Sequence, residues 1–65
     1  MTSRYWMTQC RVSLGLTQRA LAKRAKLSLT TVNGVETGRI ERPSRFTAMR
    51  IAKVLQVPWT KFYED

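Results

Sequence analysis

Apolar residues along this chain recur at three- and four-residue spacing and nowhere alternate over four or more positions, which predicts helices and no strands. Five short helical segments follow from the pattern and its punctuation. The first covers residues 3–14, with Met7, Cys10, Arg11 and Leu14 along one face, and Gly15 follows it where a left-handed closing residue is tolerated. The second opens at Thr17, a good N-cap residue, and runs through Gln18 to Ala25. Its apolar positions Leu21, Ala22 and Ala25 include two small residues, so another helix backbone can approach closely. The third runs from Ser28 to Thr37 with Val32 and Val35 inward and Gly38 at its end.

A basic loop over 39–43 separates the third segment from the fourth, because Pro43 cannot extend a preceding helix. The fourth is capped by Ser44 and reaches Leu55, with Phe46, Met49, Ile51, Ala52 and Leu55 as a broad apolar face. The fifth is a turn or two over 58–63, where Pro58 fits a helix start and Val57, Trp59 and Phe62 are the packing residues. Tyr5 and Trp6 are expected to pack against this last segment as core, as is Phe62; for Trp59 core packing and a dimer contact at the chain end both stand. The expectation is an all-α chain in which residues 1–65 form one domain. Its informative pair is segments two and three, joined by a few residues around Lys26 and Leu27. Two helices at about 90–120° across a turn that short make a helix-turn-helix, here over 18–37.

Composition narrows what such a chain does. Sixty-five residues allow one small core and no deep substrate cavity beside it. With no histidine, one cysteine and four acidic residues, general-base, metal-ligand and paired-carboxylate chemistry are all poorly supplied, so neither an enzyme nor a metal or cofactor site is expected. No window approaches the ~18 apolar residues needed to span a bilayer, and no signal-peptide pattern opens the chain. A free thiol without a secretion signal fits a reducing cytoplasm. Twelve Lys and Arg leave a net charge of +8, the electrostatic footprint of a nucleic-acid binder. A merely solubilising surface or a basic helix on anionic membrane would carry the same charge. Met1 and an acidic end at Asp65 are compatible with a complete small protein and equally with an excised domain.

From Arg11 onward the chain resembles the Xre/Cro family of phage and bacterial regulators, which includes the lambdoid phage repressors. The resemblance rests on Gly15-Leu16-Thr17-Gln18, Leu21-Ala22, Val32, Val35-Glu36-Thr37-Gly38, Arg42-Pro43 and Ala52-Lys53-Val54-Leu55-Gln56-Val57. It implies a compact five-helix, lambda-repressor-like DNA-binding domain that acts as a sequence-specific regulator on a pseudo-palindromic operator, with weak homodimers completed on DNA. The third segment is then the recognition helix, with Leu29, Thr30, Thr31, Asn33 and Gly34 on the base-reading side. Asn suits adenine, and Thr suits a hydrogen bond or a thymine methyl. Thr17, Gln18, Lys26, Ser28, Thr37, Arg39, Arg42, Ser44 and Arg45 are implied phosphate contacts, with Arg19, Lys23 and Arg24 as weaker ones. Arg11 and Glu36 match positions that form a buried ion pair in several relatives.

Departures bear on what is read, not on the fold. Leu29 stands where relatives often carry a polar residue; it meets a thymine methyl or serves as a half-buried staple, and both stand. Gly34 removes a side chain that relatives use on a base, and lets the helix backbone lie close to DNA. Lys26 replaces the usual Gly at the turn and adds a phosphate-directed charge. Glu41 interrupts the basic loop. From a different class, an antitoxin-like protein-interaction module also uses this scaffold, and an exposed apolar patch would favour it. A zinc or small-molecule sensor is third, and the missing histidine argues against it.

Overall fold

A computed structural model describes residues 3–64. Its elements are α1 (Tyr5–Ser13), α2 (Gln18–Ala25), α3 (Leu29–Thr37), α4 (Arg45–Leu55) and a terminal 3-10 helix (Trp59–Tyr63). The five-helix expectation is thereby corrected: four α-helices are followed by one tighter, shorter turn of helix. Pro58 leads into that turn with extended backbone, and five residues are too few to build a stable α-helix.

Local chemistry sets the boundaries. The hydroxyls of Thr17, Ser28 and Ser44 accept from the main-chain N–H of Ala20, Thr31 and Thr47 at 3.0, 3.1 and 3.2 Å, so α2, α3 and α4 each begin on a side-chain cap. The ends of α1, α2 and α4 share one device, a left-handed residue followed by an apolar one: Gly15-Leu16, Lys26-Leu27 and Gln56-Val57. In each, the apolar residue's N–H returns to a carbonyl five residues back, Arg11, Ala22 or Ala52, at 2.9–3.1 Å. Lys26 has φ 57° and Gln56 φ 63°, so two of the three closures use residues that strain there and glycine does not.

Met7, Leu21, Val32, Val35 and Ile51 are fully buried, and Ala22, Ala48, Ala52, Leu55 and Phe62 complete the core around them. Helix α2 packs on both α3 and α4, and α4 carries the terminal turn. The α4 face is narrower than its sequence implies. Ala48, Ile51, Ala52 and Leu55 point inward, whereas Phe46 and Met49 remain 61% and 46% exposed. At 100° per residue Phe46 falls nearly opposite Ala48, and the Arg50 guanidinium lies 4.4 Å from its ring instead. Leu14 is also exposed, since α1 has already ended there and Leu16 takes the buried place. Trp6 packs edge-on against Phe62 at 5.0 Å, while Tyr5, one residue earlier on α1, faces solvent. Trp59 is half-buried, edge-on to Tyr63.

Candidate nucleic-acid interface

A buried charge cluster fixes α3 against α1. The Arg11 guanidinium straddles the Glu36 carboxylate, Nε to Oε1 and Nη2 to Oε2, both at 2.9 Å. Thr8 donates its hydroxyl to Oε2 at 2.7 Å, and Arg11 Nη1 donates to the Leu16 carbonyl at 2.8 Å. Glu36 is only 5% exposed. Burial pushes its carboxyl up, but hydrogen bonds from Arg11 and Thr8 together with the Arg11 charge outweigh that, and it stays below the ordinary carboxylate range. The same hydrogen bond to Glu36 raises Arg11 above its already high value. Val32, Val35 and Glu36 are thus all turned inward, which commits the opposite side of α3 to solvent.

That outer side carries Thr30, Asn33 and Thr37 at i, i+3 and i+7 spacing, with Leu29 exposed at its start. Asn33 Nδ2 donates to Gln18 Oε1 at 3.1 Å, so the first residue of α2 sits beside the middle of α3. This bond holds the Gln18 amide and leaves Asn33 an exchangeable partner. The Thr37 hydroxyl turns back to the Asn33 carbonyl at 2.8 Å. Thr31 is half-buried, and its hydroxyl takes a 2.8 Å hydrogen bond from that of Ser28, so both belong to the cap at the start of the helix.

Gly34 is corrected. It lies one turn on from Thr30 on the outer side, as expected, but it is not open to a base: the segment that follows α3 folds over it and buries it. A Cβ there would come within 2.8 Å of Ile40 Cδ1 and 3.0 Å of Arg39 Nη2. Glycine lets the Ile40 and Arg39 side chains lie this close, because Ile40 folds back onto the helix with its N–H on the Gly34 carbonyl at 2.9 Å. The arginines that follow α3 are themselves exposed. Arg39 reaches back to the Thr30 carbonyl at 3.4 Å, Arg42 lies 5.8 Å over the Tyr63 ring, and Arg45 lies 5.2 Å over Trp59. Thr17, Lys26, Ser28 and Ser44 are exposed at the helix starts and at the left-handed turn.

Two structural arginines escaped the sequence. Arg4 donates to the carbonyls of Val35 at 2.7 Å and Ile40 at 2.9 Å and to that of Glu41, tying the end of α3 and the loop to the start of α1. Its own N–H donates to the Glu36 carbonyl at 2.8 Å. Burial lowers its pKa, with Tyr63 opposing. The one available signal is a basic residue at a helix N-terminus, where the macrodipole disfavours it. Arg50 donates to the Ala25 carbonyl at 3.1 Å and so closes α2.

Two helices locked at a short turn, with a polar face on the second and arginines beside it, define a DNA-binding helix-turn-helix domain. A family model described as Helix-turn-helix matches residues 7–62, and the chain belongs to that family, in its Xre-like form. No curated protein and no solved structure matches the chain. The family is one of double-stranded DNA binders and generally not of enzymes. Among the described residues no helix is long and apolar enough to cross a membrane.

Proposed function

We propose that this chain, acting as one domain over residues 1–65, is a sequence-specific regulator of the Cro/repressor type. It inserts α3 in the major groove of an operator half-site in the bacterial or phage-infected cytoplasm. The observation that carries the reading is the division of α3. Val32, Val35 and Glu36 are buried, Glu36 paired with Arg11, and the Thr30–Asn33–Thr37 face lies on the outer side beside Gln18 and Arg39. In this reading Leu29, Thr30 and Asn33 meet base edges, with Thr31 at their margin. Thr17, Gln18, Lys26, Ser28, Thr37, Arg42, Ser44 and Arg45 hold phosphates, which sets register without reading sequence. Two copies occupy half-sites about one helical turn apart and dimerise weakly until DNA brings them together.

Selection of bound duplexes from a random pool tests this. The expected result is a pseudo-palindrome whose binding falls steeply with salt. Absence of a salt-sensitive shift on any duplex overturns it. One observation favours an antitoxin-like protein-interaction module as the second reading: Phe46 and Met49 expose apolar surface on α4. Substituting both by Ser leaves duplex selection intact if DNA is the partner.

A further inference from the structure

Resting on the DNA-binding reading, we propose that Arg39 reads a base, as a guanine-specific contact, and is not one of the phosphate clamps. Its position carries the argument. Arg39 lies two residues beyond the end of α3, yet its guanidinium runs back along the helix to the Thr30 carbonyl, in the first turn. Position 34, midway along its path, has no side chain to crowd it; a Cβ would stand 3.0 Å from Nη2 and push the guanidinium aside by a few tenths of an ångström. The glycine that leaves α3 without a side chain here thus gives Arg39 room to lie along the helix.

The first turn of a recognition helix is the part that meets base edges. Arg39 delivers its charge to that turn, not to the flank of the duplex. It is exposed, and its one tether is long, 3.4 Å, so at least four of the five guanidinium N–H donors remain for a ligand. A planar fork of that kind matches the O6 and N7 acceptors of guanine in the major groove. Arg42 and Arg45 differ in kind. Their guanidinium groups lie over the rings of Tyr63 and Trp59 in the terminal turn, and neither has a hydrogen bond to α3 as Arg39 does.

The experiment is duplex selection followed by titration of the selected site and its single-base variants, using the full chain and Arg39→Lys, Arg39→Ala and Gly34→Ala. Lysine keeps the charge and loses the fork. The expected result is a G·C pair that the wild type prefers by roughly 5- to 150-fold. Arg39→Lys and Arg39→Ala lose that preference, and selectivity at other positions is unchanged. Gly34→Ala, which crowds Arg39 and Ile40, weakens it at the same base pair. If Arg39→Lys keeps every base preference while Arg39→Ala weakens all duplexes alike and lowers the salt slope by about one, Arg39 is a phosphate contact and the proposal is overturned. Full selectivity in Gly34→Ala overturns the role given to the glycine. A wild type that binds no duplex is a different failure, that of the DNA-binding reading itself.

Discussion

Arg4, Arg11 and Arg50 are tied inward, and Arg39, Arg42 and Arg45 are exposed, although the two sets have the same chemistry and neighbouring places in the fold. The inner three donate to main-chain carbonyls at the ends of α2, α3 and the following loop, or to the buried Glu36 carboxylate. The outer three rest on aromatic rings or on a long bond to α3. A net charge of +8 therefore overstates the charge available to a polyanion, because part of it holds the scaffold that presents the rest.

The sharpest way to break the comparison is to remove one member of the inner cluster. Glu36→Ala strands Arg11 in a nearly dry site, and removing one partner of a buried pair costs about 3–5 kcal/mol. A domain this small has little more than that to lose. Urea or thermal melts should show Glu36→Ala unfolded or nearly so, and folding should fail before base preference changes. The pair Arg11→Met with Glu36→Leu should be much milder, since no charge is left unpaired. A Glu36→Ala melt equal to wild type would remove the ion pair from the account of stability.

Acid makes the same break reversibly. Glu36 is held below its unfolded value, near 4.5, so between the two values the unfolded chain binds more protons than the folded one. Its contribution is fully present above the unfolded value and is lost as pH falls through it toward the folded one. Arg11 stays charged throughout. The urea midpoint should therefore drop on acidification below about pH 5, and less steeply in Glu36→Gln.

Arg4→Met comes next, with an expected loss of about 2–3 kcal/mol, because a charged donor leaves three carbonyls that it now satisfies. Those carbonyls lie at the end of α3 and in the loop, so amide exchange should quicken at residues 38–41 before it does in the core. A uniform change across the chain would argue that Arg4 acts only through Phe62, whose ring it faces at 5.8 Å.

Arg4 also marks where the sequence becomes illegible. Caps at Thr17, Ser28 and Ser44 could be read because their partners lie three residues away, and the Arg11–Glu36 pair because a family resemblance pointed to it. Arg4 bonds to carbonyls 31 to 37 residues distant, and a main-chain acceptor leaves no mark on residue choice. Gly34 misled for a similar reason: helical spacing alone does not say that Ile40 returns to cover it. In α4 the stripe from Phe46 to Leu55 holds more apolar residues than one helix face, and only the packing with α2 and the terminal turn decides that Phe46 and Met49 lie outside it.

On the exposed side, effects should appear in binding and hardly in stability. Arg42→Ala and Arg45→Ala should each shift a melt by no more than about 0.5 kcal/mol. Each should weaken all duplexes alike and reduce the salt slope by about one. A loss of base preference in either variant would place it with Arg39.

Lys26 and Gln56 offer the finest version of the comparison, since both occupy the same left-handed closing position and only one adjoins α3. A left-handed residue with a Cβ costs about 1–2 kcal/mol, whereas glycine adds about 0.4–1 kcal/mol of unfolded-chain freedom. Lys26→Gly and Gln56→Gly should thus each gain about 0.5–1 kcal/mol, the difference between those terms. If Lys26 is kept at that strain for its charge, its glycine variant should bind DNA more weakly at low salt while melting higher. Gln56→Gly, closing α4, should melt higher with binding unchanged. Equal binding in both variants would mean that Lys26 serves the duplex no more than Gln56 does.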